Sequence, residues 1–173
     1  MTTAPLLAGS FPTPLGPMVA LLNEAGALAR LDFCDGPVDL QSGRWRDQPV
    51  RPDPNAIRQV SEQISDYFAG HLREFKLSLA PVGNTFQQQV WQLLQQIPYG
   101  ETRSYGELAR QLDMTHGARA VGRANGLNPI AVVIPCHRVI GADGKLTGYA
   151  GGLHRKAALL ELEAARGQAS FLY

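Results

Sequence analysis

Between Ser104 and Gly126 the chain reads SYGELARQLDMTHGARAVGRANG, two short helical patterns around one tight turn. Ser104 followed by Glu107 is a capping box, and it opens a helix with Leu108, Ala109 and Leu112 on its inner face. Asp113 to Gly117 reads as a turn, and a second helix runs from Ala118 to Asn125 before Gly126. Such a pair predicts a helix-turn-helix, a motif that lays its second helix in a DNA groove. That helix is built of small residues: Ala118, Ala120, Val121, Gly122 and Ala124. Arg119, Gly122 and Arg123 share a stripe by their spacing. Two guanidinium groups around a glycine allow the backbone to approach a nucleic-acid surface closely.

Downstream, Ile130-Ala131-Val132-Val133-Ile134 is rich in β-branched residues and predicts a buried strand ended by Pro135. Cys136 and His137 follow at once. A thiol presented this way in basic surroundings meets the conditions that lower its pKa from a reference of about 8.5. His137 is placed to take the thiol proton, directly or through a water. Metal binding fits poorly, since no second cysteine stands at ligand spacing. A cysteine hydrolase stays open and needs a histidine positioned by an Asn or Asp. Ala142 to Lys145 reads as a turn, and Thr147 to Gly152 as a glycine-rich loop that walls a flat pocket. Leu153 to Ala164 reads as a helix, with Leu153, Ala157, Leu160 and Ala164 on one face and Lys156, Leu159 and Glu163 on an adjacent one. Glu163 is either a surface acid or the acceptor for a ring N–H of His137, fixing its tautomer.

Upstream, Thr85 to Gln88 is a second capping box, and Phe86, Val90, Leu93, Leu94 and Ile97 form a helical face ended by Pro98-Tyr99-Gly100. Ala80 to Gly83 reads as a linker, dividing the chain into residues 1–80, a scaffold, and 81–173, which carries the chemistry. In the scaffold, Met18 to Leu22 and Ala27 to Phe33 flank the turn Asn23 to Gly26 as a β-hairpin. Ala29, Leu31 and Phe33 alternate there with Arg30 and Asp32, as in a half-buried strand. Gly36 to Pro54 reads as loop. Asp53-Pro54 then starts a helix with Ile57, Val60, Ile64, Tyr67 and Phe68 on one stripe, ended by Gly70.

Composition fits a soluble globular chain: 173 residues, 45% hydrophobic and 18% charged. No apolar run approaches the ~20 residues of a membrane span, and Met1 to Leu6 lacks the pattern of a signal peptide. Two cysteines, Cys34 and Cys136, point to a reducing compartment and a cytoplasmic location, with a single bridge between them left open. Charge is uneven: residues 1–83 carry seven Lys/Arg against nine Asp/Glu, and residues 84–173 nine against six. Arg119, Arg123, Arg138, Lys145, Arg155 and Lys156 share residues 119–156 with one acid, Asp143. Such a cluster predicts an anionic partner or a solvated basic face.

Pro135-Cys136-His137-Arg138-Val139-Ile140, preceded by Asn128-Pro129 and by Arg119-Ala120-Val121-Gly122, closely resembles the O6-alkylguanine-DNA alkyltransferases. The resemblance is strong over about residues 84–164. It is looser in the first half, at Thr13-Pro14-Leu15-Gly16-Pro17 and Tyr67-Phe68-Ala69-Gly70. It implies an α/β (α+β) chain: a small ribonuclease H-like sheet-plus-helix domain, then a helical, winged-helix-like domain with the helix-turn-helix. It implies DNA repair by single, irreversible transfer of an alkyl group from O6-alkylguanine, and from O4-alkylthymine, to Cys136 after the nucleotide flips out.

By the same resemblance, His137 acts on Cys136 through a water, Glu163 orients His137, and Asn128 braces the turn carrying the site. Tyr105 holds the guanine and protonates it as it leaves; Val139, Tyr149 and Ala150 line the base pocket. Arg119 fills the gap left in the duplex. Ala120, Gly122, Arg123 and Asn125 meet the minor groove of double-stranded DNA. The implied protein needs no cofactor and no metal; the first half offers only Cys34 and His71 toward the zinc site of some eukaryotic members. It is a monomer without DNA and sits in several copies along it. Some members carry serine where Ala150 stands, and the alanine here removes one hydrogen bond to the base or its alkyl group. The competing reading is a helix-turn-helix regulator that transfers nothing and merely buries Cys136.

Overall fold

The computed structural model describes residues 4–36, 38 and 48–169. They are mixed α and β, in two units that divide between Val82 and Gly83. In the first unit β1 (Leu6–Phe11), β2 (Met18–Leu22), β3 (Leu28–Phe33) and β4 (Val50–Pro52) form a sheet in the order β3-β2-β1-β4. β1 and β3 run antiparallel to β2, and β4 runs parallel to β1. The expected hairpin is β2–β3. Its turn is held by Asn23 Oδ1, which accepts from the Ala25 and Ala27 amides at 3.0 Å, with Gly26 at φ 84°.

Three expectations for this unit need correction. β3 is not half-buried by alternation: Asp32 is buried, and Arg30 Nε donates to it at 3.3 Å. The segment Gly36 to Pro54 is not all loop, since Val50–Pro52 pairs with β1; Pro37 and residues 39–47 of it lie outside the described residues. A three-residue strand with prolines at 49 and 52 carries no period to read. β1 escaped notice because Gly9 and Ser10 interrupt its apolar run. Gly9 is needed there, because a Cβ would overlap the Ile57 side chain. Finally, α1 (Arg58–Ala69) starts a turn later than Asp53-Pro54 suggests. Asp53 Oδ1 accepts from the Ala56 amide at 3.1 Å and caps the preceding turn instead. Val60, Ile64 and Tyr67 are buried as expected, and Gly70 ends the helix at φ 86°.

The second unit contains α2 (Thr85–Gln95), β5 (Arg103–Ser104), α3 (Tyr105–Gln111), α4 (Ala118–Gly126), a 3₁₀ turn (Cys136–Arg138), β6 (Val139–Ile140) and α5 (Leu153–Ala169). The capping box of α2 is Asn84 with Gln87, one residue earlier than predicted, because glutamines stand at both 87 and 88. Ser104 caps α3 through the Glu107 amide at 3.1 Å. α3 and α4 are the predicted helix-turn-helix. Trp91 Nε1 ties α4 to α2 by donating to Ala124 O at 2.9 Å. β5 pairs in parallel with β6, which sets Tyr105 beside the segment that follows Cys136. No helix among the described residues is long and apolar enough to cross a membrane.

The largest correction lies at residues 130–134, where Ile130 makes only an isolated bridge and residues 131–134 turn rather than extend as a strand. The Val133 amide donates to Ala131 O at 2.8 Å across Val132, whose φ is +70°. This is a γ-turn of the rare left-handed kind, strained for a β-branched residue. Pro135, at φ −81° and ψ 64°, centres an inverse γ-turn closed by Cys136 N to Ile134 O at 2.8 Å. The run is apolar because it is buried, and its polar backbone is served by a side chain. Asn128 Nδ2 donates to Ile134 O at 2.8 Å and Ile130 O at 3.2 Å, and Asn128 Oδ1 accepts from the Ile130 amide at 3.0 Å. Asn128→Ala strips all three bonds from buried backbone, so we expect a loss of about 2–4 kcal/mol in urea unfolding, against little change for a surface Asn→Ala such as Asn55.

Candidate functional site

Cys136, His137 and Arg138 occupy one short turn, and all three are buried. α5 brings Glu163 to them, 1% exposed. Its carboxylate is shared: Oε2 lies 2.8 Å from His137 Nε2, while Arg138 donates from Nε to Oε1 at 2.8 Å and from Nη2 to Oε2 at 3.0 Å. Arg138 Nη1 also donates to Ile97 O at 2.7 Å, and its guanidinium stands 5.7 Å from the centre of the Tyr99 ring. The turn after α2 thus joins the site.

Burial pushes the Glu163 carboxyl up, but the hydrogen bonds and charges of His137 and Arg138 outweigh it and bring it down to about 2. Burial lowers His137 from 6.5 and prevails over the pull of Glu163 in the other direction. The pair is therefore a carboxylate and a neutral imidazole. Nε2–H faces Glu163, and Nδ1, which has no protein partner, keeps its lone pair. This is a base held in one tautomer beside a thiol.

Around it the predicted residues fall into place unevenly. Tyr105 donates from its hydroxyl to Thr147 O at 3.1 Å and receives the Thr147 hydroxyl at 3.2 Å. Val139 is fully buried, Tyr149 half-buried and Ala150 exposed. On α4, Arg119, Ala120 and Arg123 are exposed, in keeping with an outward face. Gly122 is half-buried, and its missing Cβ would face the Tyr105 ring at 3.6 Å instead of open surface. Asn125, expected at the DNA, is buried and donates to Cys136 O at 3.3 Å. Two asparagines from the end of α4 therefore hold the backbone of the cysteine segment.

The basic cluster also divides. Arg119, Arg123 and Lys145 are exposed, whereas Arg138, Arg155 and Lys156 are buried and hydrogen-bonded inside. α5 turns a face inward that differs from the apolar one expected. Lys156, Leu159 and Glu163 are buried, while Leu153 is 48% exposed. Cys34 and Cys136 are not joined by a disulfide. The described residues hold no cluster of His, Cys, Asp or Glu suited to a metal.

Residues 85–165 match the family described as 6-O-methylguanine DNA methyltransferase, DNA binding domain, and residues 6–81 match its ribonuclease-like domain. The chain belongs to the 6-O-methylguanine DNA methyltransferase family. It is 50% identical over 157 residues to the methylated-DNA–protein-cysteine methyltransferase of Mycobacterium tuberculosis, covering 91% of this chain and 92% of that one. To the enzyme of that name from Methanosarcina acetivorans it is 46% identical, covering 88% and 95%. Among solved structures, that of M. tuberculosis OGT in complex with DNA superposes with a TM-score of 0.82 at 48% identity, covering 92% of this chain and 94% of that one.

In this methyltransferase-family chain the sequence names Cys136, His137, Glu163, Asn128 and Tyr105 for the chemistry, but places Arg138 and Lys156 only in the basic cluster and Thr147 only in the pocket loop. Arg138 was visible beside His137, yet its bond to a residue 25 positions away leaves no local trace. For both buried groups the folded pKa lies below the unfolded value. His137 therefore withdraws stability as pH falls below 6.5, and the contribution of Glu163 is lost as pH falls from 4.5 toward about 2. Urea midpoints measured downward from neutral pH should decline through both windows. Glu163→Gln should flatten the lower one while losing about 3–5 kcal/mol near neutrality, since Arg138 is left as an uncompensated buried charge.

Proposed function

We propose that this chain repairs DNA directly, moving the alkyl group of O6-alkylguanine in duplex DNA onto Cys136, once per molecule. The observation that carries the reading is the buried Cys136–His137–Glu163–Arg138 cluster inside a chain of this family. The relatives named above are methyltransferases, so a helix-turn-helix regulator has nothing in its favour.

The alkyl carbon is hidden in the base stack, so the nucleotide must be extruded at a cost of a few kcal/mol. Arg119, exposed near the start of α4, fills the gap it leaves, with Ala120 and Arg123 against the minor groove. Gly122 keeps the space beside the Tyr105 ring clear for the base. Val139, Tyr149 and Ala150 line the pocket. His137 Nδ1 takes the Cys136 proton through a water, and the Glu163 carboxylate steadies the imidazolium that forms. The thiolate sulfur then bonds to the alkyl carbon as the carbon–oxygen bond breaks and its electron pair passes to guanine O6. The Tyr105 hydroxyl supplies a proton to the departing base. A thioether remains, which water does not displace, so Cys136 is spent. The same attack serves O4-alkylthymine. Residues 1–80 act as scaffold.

Incubation with duplex DNA containing O6-methylguanine should add one methyl to the tryptic peptide containing Cys136 and none in Cys136→Ser; an unmodified peptide in the native chain contradicts the reading. Tyr105→Phe, which removes the proton donor and leaves the ring, should slow single-turnover transfer by about 10²-fold with DNA affinity little changed.

A further inference from the structure

Lys156 lies beside this site, fully buried, and the steps above leave it unused. An ammonium taken out of water is unfavourable unless its protons are satisfied. Here Nζ donates to Thr147 O at 2.8 Å and Gly148 O at 3.3 Å. It also stands 5.9 Å from the centre of the Tyr105 ring. Thr147 O is the same oxygen that accepts the Tyr105 hydroxyl. Lys156, Thr147 and Tyr105 thus form one network, and the loop it fastens leads directly into Tyr149 and Ala150.

Carbonyl dipoles solvate the ammonium without cancelling its charge. Glu163, on the same helix face, is already held by His137 and Arg138. Burial pushes Lys156 down from 10.5, and the charge of an ionised Cys136 pulls it back up. Such a coupling is mutual: the thiolate that favours the ammonium is favoured by it to the same degree. His137 meets the same cation, which helps keep it neutral after the larger effect of burial. The ionisable groups coupled to Lys156 are thus Cys136 and His137, its ammonium stands over the Tyr105 ring, and Arg138 is engaged by Glu163.

We propose that Lys156 is a positioning residue for alkyl transfer: its one ammonium pins the Thr147–Gly148 wall and, through Thr147 O, the Tyr105 hydroxyl, while its charge acts on Cys136. This rests on the direct-repair reading for the reaction it serves, but the charge effect is measurable without DNA. Sequence inspection passes over the residue because a lysine on a helix ordinarily faces water.

The test uses the full chain with Lys156→Gln, which keeps hydrogen-bond donors near the two carbonyls, and Lys156→Met, which keeps neither donor nor charge. The first readout is the rate at which iodoacetamide modifies Cys136 from about pH 5 to pH 9, followed by peptide mass. Both variants should shift this profile to higher pH, slowing modification near pH 7 about tenfold. The second is single-turnover transfer from O6-methylguanine duplex at several DNA concentrations. The limiting rate should fall about tenfold or more in Lys156→Gln and further in Lys156→Met, with half-saturation moving by less than about threefold.

Unshifted profiles in the folded variants overturn the proposal, and so does a loss confined to DNA affinity. If Lys156→Met fails to unfold cooperatively, Lys156→Gln decides; loss of folding in both assigns Lys156 to stability and also overturns it. A native chain that takes up no methyl refutes the repair reading, while the iodoacetamide profiles still decide the effect of Lys156 on Cys136.

Discussion

One carboxylate holds the second unit's chemistry together. Glu163 accepts from His137 and, with both oxygens, from Arg138, and none of the three is more than slightly exposed. An ion pair this deep gains stability only when its geometry is good and its remaining donors are satisfied. Arg138 meets that condition with a forked contact to Glu163 and a further bond to Ile97 O. The pairing orients His137, which burial keeps uncharged against the pull of Glu163, so that it retains a basic nitrogen. It also joins α5, the cysteine turn and the end of α2, which are far apart in sequence.

The backbone that carries Cys136 is built to the same end. A strand would have needed another strand to pair with; the segment instead folds through a strained turn at Val132 and a relaxed one at Pro135. Asn128 and Asn125 take up its polar atoms, both reaching from the end of the helix whose outer face carries Arg119 and Arg123. The exposed arginine face and the buried cysteine turn are therefore connected by two short side chains. Strain at Val132 is tolerable because the surrounding bonds over-determine the loop.

What was legible in the chain was what has local grammar. Ser104 with Glu107, Gly70 after an apolar stripe, and the small-residue helix around Gly122 each signal an element within a few positions. Pro135 to Ile140 marks the site by its match to a family. What escaped depends on distant partners. β4 exists because β1 is there to pair with it. The apolar run 130–134 looks like a strand because burial by turns and burial in a sheet select the same residues. Lys156 and Glu163 lie on the inner face of α5 against every rule of polarity, which is the mark of a helix serving a site. The charge cluster misled for a related reason, since net charge does not say which side chains point inward.

In the proposed reaction Cys136 is consumed in a single transfer rather than turned over. Methyl groups retained per chain, counted with a growing excess of labelled O6-methylguanine duplex, measure this directly. The expected result is a plateau at one methyl per active chain, with guanine restored in equal amount and no further repair. Repair that continues past one lesion per chain, or guanine restored without methyl retained on the protein, would contradict it.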